Sequence, residues 1–173
     1  QGSIMTEENK TGTEGAAQEN QQVKFNLQRI YLKDLSYEAP LGAKAFQKQW
    51  KPKVNQDLST KINRLDDTHF EVVLSLTITV KDDEDTIYLV EIQQAGIFLV
   101  EGLQGQQLTA ILNTHCPQIL FPYARETVDS VVTRGSFPAL LLPPVNFDAL
   151  FQQAVAQAQS QSPQDEESGG ATH

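Results

Sequence analysis

Phe70-Glu71-Val72-Val73-Leu74-Ser75-Leu76-Thr77-Ile78-Thr79-Val80-Lys81 runs into Asp82-Asp83-Glu84-Asp85 and then into Thr86-Ile87-Tyr88-Leu89-Val90-Glu91-Ile92-Gln93-Gln94, and the fold turns on this stretch. Phe70, Val72, Leu74, Leu76, Ile78 and Val80 alternate with Glu71, Val73, Ser75, Thr77, Thr79 and Lys81. Successive side chains of a strand point to opposite faces, so this period predicts a strand with one face in a core. The acidic tetrapeptide reads as a hairpin turn. Residues 86–94 form the returning strand, with Tyr88, Val90 and Ile92 opposed to Ile87, Leu89, Glu91 and Gln93.

Upstream, residues 23–38 also keep a two-residue period. Phe25, Leu27, Tyr31, Leu35 and Tyr37 fall on one face, interrupted by Arg29 and Lys33. Asn26, Gln28, Ile30, Leu32, Asp34, Ser36 and Glu38 fall on the other, the pattern of a half-buried strand. Residues 39–59 read as a long connection bearing Phe46 and Trp50 between Pro40 and Pro52. Downstream, residues 95–101 make a fourth strand closed by Gly102 and Gly105. Short links between successive strands imply antiparallel neighbours.

Beyond Gly105 the period changes. Leu108, Ile111 and Leu112 predict a short helix stopping at Pro117. Leu120, Ala124, Val128 and Val131 or Val132 recur at helical spacing as far as Arg134-Gly135, with Pro122 bending that helix or delaying its start. Residues 136–145 are apolar but punctuated by prolines, hence an extended loop. Asn146 then caps a last helix whose Phe147, Leu150, Phe151, Ala154, Val155 and Ala158 share a face. The predicted class is α+β, a four-stranded antiparallel sheet with helices packed on one face.

Of the 173 residues, 39% are hydrophobic, enough for a single domain over 22–160. Residues 1–21 and 161–173 carry little to bury and are expected to be disordered tails. Gln1-Gly2-Ser3-Ile4 ahead of Met5 reads as a cloning scar. A net charge of -9 disfavours non-specific binding to nucleic acid or anionic lipid. One cysteine, Cys116, excludes an internal disulfide and points to a reducing, cytoplasmic setting. No apolar run is long enough to insert in a membrane, and the start lacks the pattern of a signal peptide.

Catalytic chemistry finds little footing. Gly96, Gly102 and Gly105 spell no dinucleotide or phosphate-binding signature. His115 beside Cys116 has no second ligand pair at usable spacing, and the turn at 82–85 lacks the spacing and glycine of a calcium loop. No serine sits in a nucleophile elbow. Catalytic residues, metal ligands and cofactors are therefore expected to be none. The unusual feature is apolar material outside regular structure, in residues 137–145 and around Phe46 and Trp50. Two readings stay open. These loops pack down as lids on the core, or they wall a groove for extended polypeptide.

Leu120-Phe121-Pro122-Tyr123-Ala124-Arg125-Glu126, then Arg134-Gly135-Ser136-Phe137-Pro138, then Pro144-Val145-Asn146-Phe147-Asp148-Ala149-Leu150-Phe151, resemble the signature of the SecB protein-export chaperones. Arg29-Ile30-Tyr31, Lys33-Asp34 and Tyr37-Glu38-Ala39-Pro40 resemble that family's first strand, and Phe46-Gln47-Lys48 with Trp50 its crossover loop. Glu91-Ile92-Gln93-Gln94-Ala95-Gly96-Ile97-Phe98 matches its later strands, so the resemblance runs in order over about residues 23–155. It implies a SecB-like fold assembled as a homotetramer, a dimer of dimers. It implies an ATP-independent holdase that keeps unfolded preproteins export-competent and delivers them to the motor SecA. The client groove would use Phe46, Trp50, Tyr88, Phe137, Leu141 and Phe151. Asp34, Glu38, Leu89 and Glu91 would meet the zinc-binding tail of SecA. Leu112, Leu120, Ala124 and Val128 are expected to leave apolar surface for subunit contacts. A toxin–antitoxin-associated chaperone of the same fold and a small hydrolase or metal enzyme using His115 and Cys116 are the rival readings.

Overall fold

The computed structural model describes residues 22–47, 49 and 51–161. Four strands, β1 (Lys24–Glu38), β2 (Lys53–Arg64), β3 (His69–Asp82) and β4 (Asp85–Glu101), form one sheet in the order β1-β4-β3-β2. Every neighbouring pair is antiparallel. The β3–β4 hairpin closes where Asp82 pairs with Asp85, and Asp83 takes a φ of 51°, a left-handed turn position that a short polar side chain tolerates. The expected lengthwise alternation holds in β3, where Val72, Leu74, Leu76 and Ile78 are all fully buried.

The sheet has the expected number of strands but differs in which they are. Residues 86–94 and 95–101 are one continuous strand, β4. Within it, a Cβ at Gly96 would lie 2.8 Å from the Phe98 side chain and 2.9 Å from Leu120, so glycine is what lets a helix approach. The fourth strand is β2, which takes up part of the expected connection. As an edge strand it needs few apolar residues. Val54, Leu58 and Ile62 share a face with Gln56 and Thr60, so the apolar period is four and hides the strand.

β1 also departs from simple alternation. Its pairing with β4 shifts between Leu27 and Arg29 and again between Leu32 and Asp34, placing bulges at Gln28 and Lys33. Each extra residue flips the side chains that follow it to the opposite face. Phe25, Leu27, Ile30, Leu32, Leu35 and Tyr37 therefore share the face of Phe98 and Val90. Tyr31, expected among them, lies on the other face.

A short 3-10 helix, Gly42–Phe46, follows β1. Three α-helices complete the chain: α1 (Gly105–Asn113), α2 (His115–Arg134) and α3 (Phe147–Gln161). Pro117 does not stop α1. It sits in the first turn of α2, where its missing N–H has no helical partner to lose. α2 lies across β3 and β4, with Cys116, Leu120, Ala124, Val128 and Val132 fully buried. Leu112 is 4% exposed, so the residues expected to supply subunit contacts are consumed inside the protomer.

α2 ends at Gly135, whose N–H reaches the carbonyls of Val131 and Val132. A Cβ at Gly135 would overlap the Tyr37 hydroxyl, so space rather than conformation demands glycine here. Asn146 caps α3 as expected, its Oδ1 accepting the Ala149 N–H at 3.0 Å. Phe147 anchors that helix against Phe121, with ring centroids 6.1 Å apart. The rest of its apolar face is only partly covered: Phe151 is half-buried, and Leu150 and Val155 remain 44% and 39% exposed.

Candidate functional site

On the helix side, three of the expected groove residues meet in one aromatic stack. Phe46, at the end of the 3-10 helix, lies over Phe137 with centroids 5.2 Å apart and planes at 22°. Phe137 meets Tyr88 of β4 at 4.8 Å. Tyr37 of β1 continues the row, 6.3 Å from Tyr88. Phe137 and Tyr88 are buried, whereas Phe46 is 57% exposed. Burial pushes the Tyr88 phenol up to about 12, with Tyr37 and Asp129 adding to the effect. The stack is thus a neutral, dry floor with an open aromatic rim.

The loop after α2 supplies the second rim. Asp129 accepts the Leu140 N–H at 3.1 Å, and the Arg125 guanidinium donates to the Leu142 carbonyl at 3.3 Å. Leu142 turns into the core. Leu141 between these tethers is 78% exposed and holds a φ of 49°, an uncommon conformation for a branched residue. The residues of these loops therefore divide between burial and exposure. Phe137 and Leu142 close the core; Phe46 and Leu141 stay available.

Phe151 stands apart from the stack. It lines a cleft between α3 and β2 with Leu58, Thr60, Asn113, Leu150 and Ala154. Trp50 lies outside the described residues. Tyr37, whose buried hydroxyl has no hydrogen-bond partner among the described residues, joins the stack although its strand position marked it only as core. Gly135 was the one available signal, because a glycine after a helix also makes room for a ring.

On the open side of the sheet, the carboxylates do come together. Glu38 pairs with Leu89, Ser36 with Glu91 and Asp34 with Gln93, so all four expected residues share a face of β1 and β4. The Ser36 hydroxyl donates to Glu91 at 3.4 Å. Asp34, Glu38 and Glu91 are exposed and Leu89 is half-buried. Ile30 and Leu32, expected beside them, are on the opposite face because of the bulges; Ile30 packs against the core.

His115 and Cys116 form no ligand pair. The Cys116 thiol is fully buried and pushed up to about 12 by desolvation, and the His115 ring packs 5.0 Å from Phe25. Among the described residues, no three His, Cys, Asp or Glu side chains are grouped to hold a metal ion. None of the described helices is long and apolar enough to cross a membrane.

The family model described as preprotein translocase subunit SecB matches residues 18–158. The chain belongs to the SecB family. It is 57% identical over 156 residues to the protein-export protein SecB of Saccharophagus degradans, covering 89% of this chain and 93% of that one. It is 56% identical over 139 residues to the SecB of Cellvibrio japonicus, covering 80% and 83%. A solved SecB-like chaperone of Mycobacterium tuberculosis, in complex with an antitoxin peptide, shares the fold. Its TM-score is 0.57 at 20% identity, over 70% of this chain and 90% of that one. Residues carrying the SecB resemblance lie on β1, the 3-10 helix, β4, α2, the tethered loop and the start of α3; among them Tyr37, Phe46 and Phe137 belong to the aromatic stack.

Proposed function

We propose that this SecB-family chain is a cytoplasmic, ATP-independent holdase that binds unfolded preproteins and passes them to SecA for export. One observation carries the reading. An exposed aromatic, Phe46, and an exposed leucine, Leu141, flank a floor already packed by Phe137 and Tyr88. An unfolded client has no fixed shape to fit, so its binder works best with pre-ordered apolar surface that loses little entropy on contact. Phe151 and Leu150, on the cleft beside β2, would extend the track for a long client, with Trp50 contributing from the crossover loop. No catalytic residue, nucleotide or metal is needed for such holding. Four copies, arranged as a dimer of dimers, would multiply the track. Chain length then adds avidity without new contacts.

Release to the motor would use the open face, where Asp34, Glu38 and Glu91 surround Leu89 in a shape suited to the basic zinc-binding tail of SecA. Titration of an unfolded preprotein against Phe46→Ala, Leu141→Ala and Phe151→Ala tests the groove. Each variant is expected to weaken holding by roughly three- to tenfold, since a promiscuous track spreads its energy over several anchors. Client affinity unchanged in the triple variant would remove the groove from this surface.

A further inference from the structure

The open face also carries a polar cluster that neither binding surface uses. Glu71 of β3 is 8% exposed, unusual for a carboxylate. It accepts the Tyr31 hydroxyl, the Lys33 ammonium at 2.9 Å and 3.0 Å, and the Asn63 amide at 2.6 Å. These donors come from β1 and β2, so the cluster spans the sheet. Ala95 of β4, opposite Tyr31 in the register, is small enough to let the two sides meet. The three donors hold the Glu71 carboxyl down at about 2, fully ionised at neutral pH.

Lys33 is itself the bulge residue. Leu32 pairs with Gln94 and Asp34 with Gln93, leaving Lys33 outside the register. Without that extra residue, alternation would turn Asp34, Ser36 and Glu38 toward the helices and Leu35 and Tyr37 toward solvent. The other bulge residue is fastened in the same way, Gln28 meeting His69 of β3 at 2.9 Å. Both irregularities of the edge strand are therefore tied across β4 to one central strand.

We infer that Glu71 is a positioning residue for partner recognition: by clamping the Lys33 bulge, it presents Asp34 and Glu38 on the docking face. The inference rests on the reading of that face as the site for the SecA tail. Glu71 is too buried to touch the partner and acts through the backbone of residues 33–38.

The test compares wild type, Asp34→Ala with Glu38→Ala, and Lys33→Met with Glu71→Gln, a pair that leaves net charge unchanged. Backbone amide exchange is measured over residues 33–38. Binding of the zinc-loaded SecA tail peptide is measured by calorimetry at low and physiological salt, and holding of an unfolded preprotein serves as a folding control. In the Lys33/Glu71 variant, exchange at 33–36 should rise roughly tenfold. Tail affinity should fall roughly three- to tenfold at both salt concentrations, with client holding intact. Added to the Asp34/Glu38 variant, the pair should cause no further loss, because its effect runs through those carboxylates. Unchanged exchange at 33–36, or a fully additive loss of affinity, overturns the inference. An Asp34/Glu38 variant that binds the tail like wild type overturns the docking reading and the recognition role of Glu71 with it. The exchange result then stands alone as evidence on the bulge.

Discussion

The two faces of the sheet are held in order by different forces. On the helix side, Val72, Leu74, Leu76, Val90 and Phe98 pack under Leu120, Ala124 and Val128 with almost no water contact. Packing of this kind is non-directional and fixes positions through volume. On the open side, Tyr31, Lys33 and Asn63 converge on Glu71, and direction matters more than volume. The comparison teaches where precision is stored. The helix side stands on packing, and the open side, with its charged geometry, stands on a hydrogen-bonded carboxylate.

Deleting volume from the covered face should therefore do the greatest damage. Leu120→Ala is expected to lower stability by about 2–5 kcal/mol, because α2 bridges β3 and β4 at that point and cannot collapse into the space. Urea denaturation measures it. A loss under about 1 kcal/mol would mean the helix side is less rigidly packed than its burial implies.

The second effect is smaller and depends on pH. The Glu71 carboxyl ionises at about 2 in the folded chain, below the 4.5 of the free group. A lowered carboxyl value stabilises the fold above the free group's range, and that contribution fades as pH falls through about 2. Glu71→Gln is thus expected to be less stable than wild type at neutral pH and to lose less on acidification. Melting curves between pH 7 and pH 2 check this. Parallel curves for the two proteins would show that the open face gains nothing from that charge.

The smallest effect belongs to Ser36, whose contact with Glu91 is long and exposed. Ser36→Ala should change stability by less than about 0.5 kcal/mol. A larger change in melting temperature would reveal an ordered network on that face wider than the Glu71 cluster.

What the sequence disclosed follows the same division. Alternation in β3, four-residue spacing in α2 and the Asn146 cap all come from local rules, and each is present in the structure. β2 escaped because an edge strand mixes Gln56 and Thr60 into its inner face. The faces of β1 escaped because nothing in Gln28 or Lys33 marks a bulge; bulges arise from partners far along the chain. Asp34, Ser36 and Glu38 were grouped correctly because all three follow the last bulge. Phe151 was named with the client groove, and its place in a cleft beside β2 was not legible, because the lateral placement of a helix is a tertiary outcome that its own residues do not encode.

The depth of Cys116 has a practical consequence for labelling chemistry. It is the sole cysteine of the chain, it is fully buried, and its thiol is held near 12. Alkylating reagents attack the thiolate, which the folded chain scarcely forms. A cysteine introduced on an exposed site, such as Asp57 on β2, can then carry a fluorophore or spin label on its own. The native thiol can remain in place, and the core beneath α2 stays as it is.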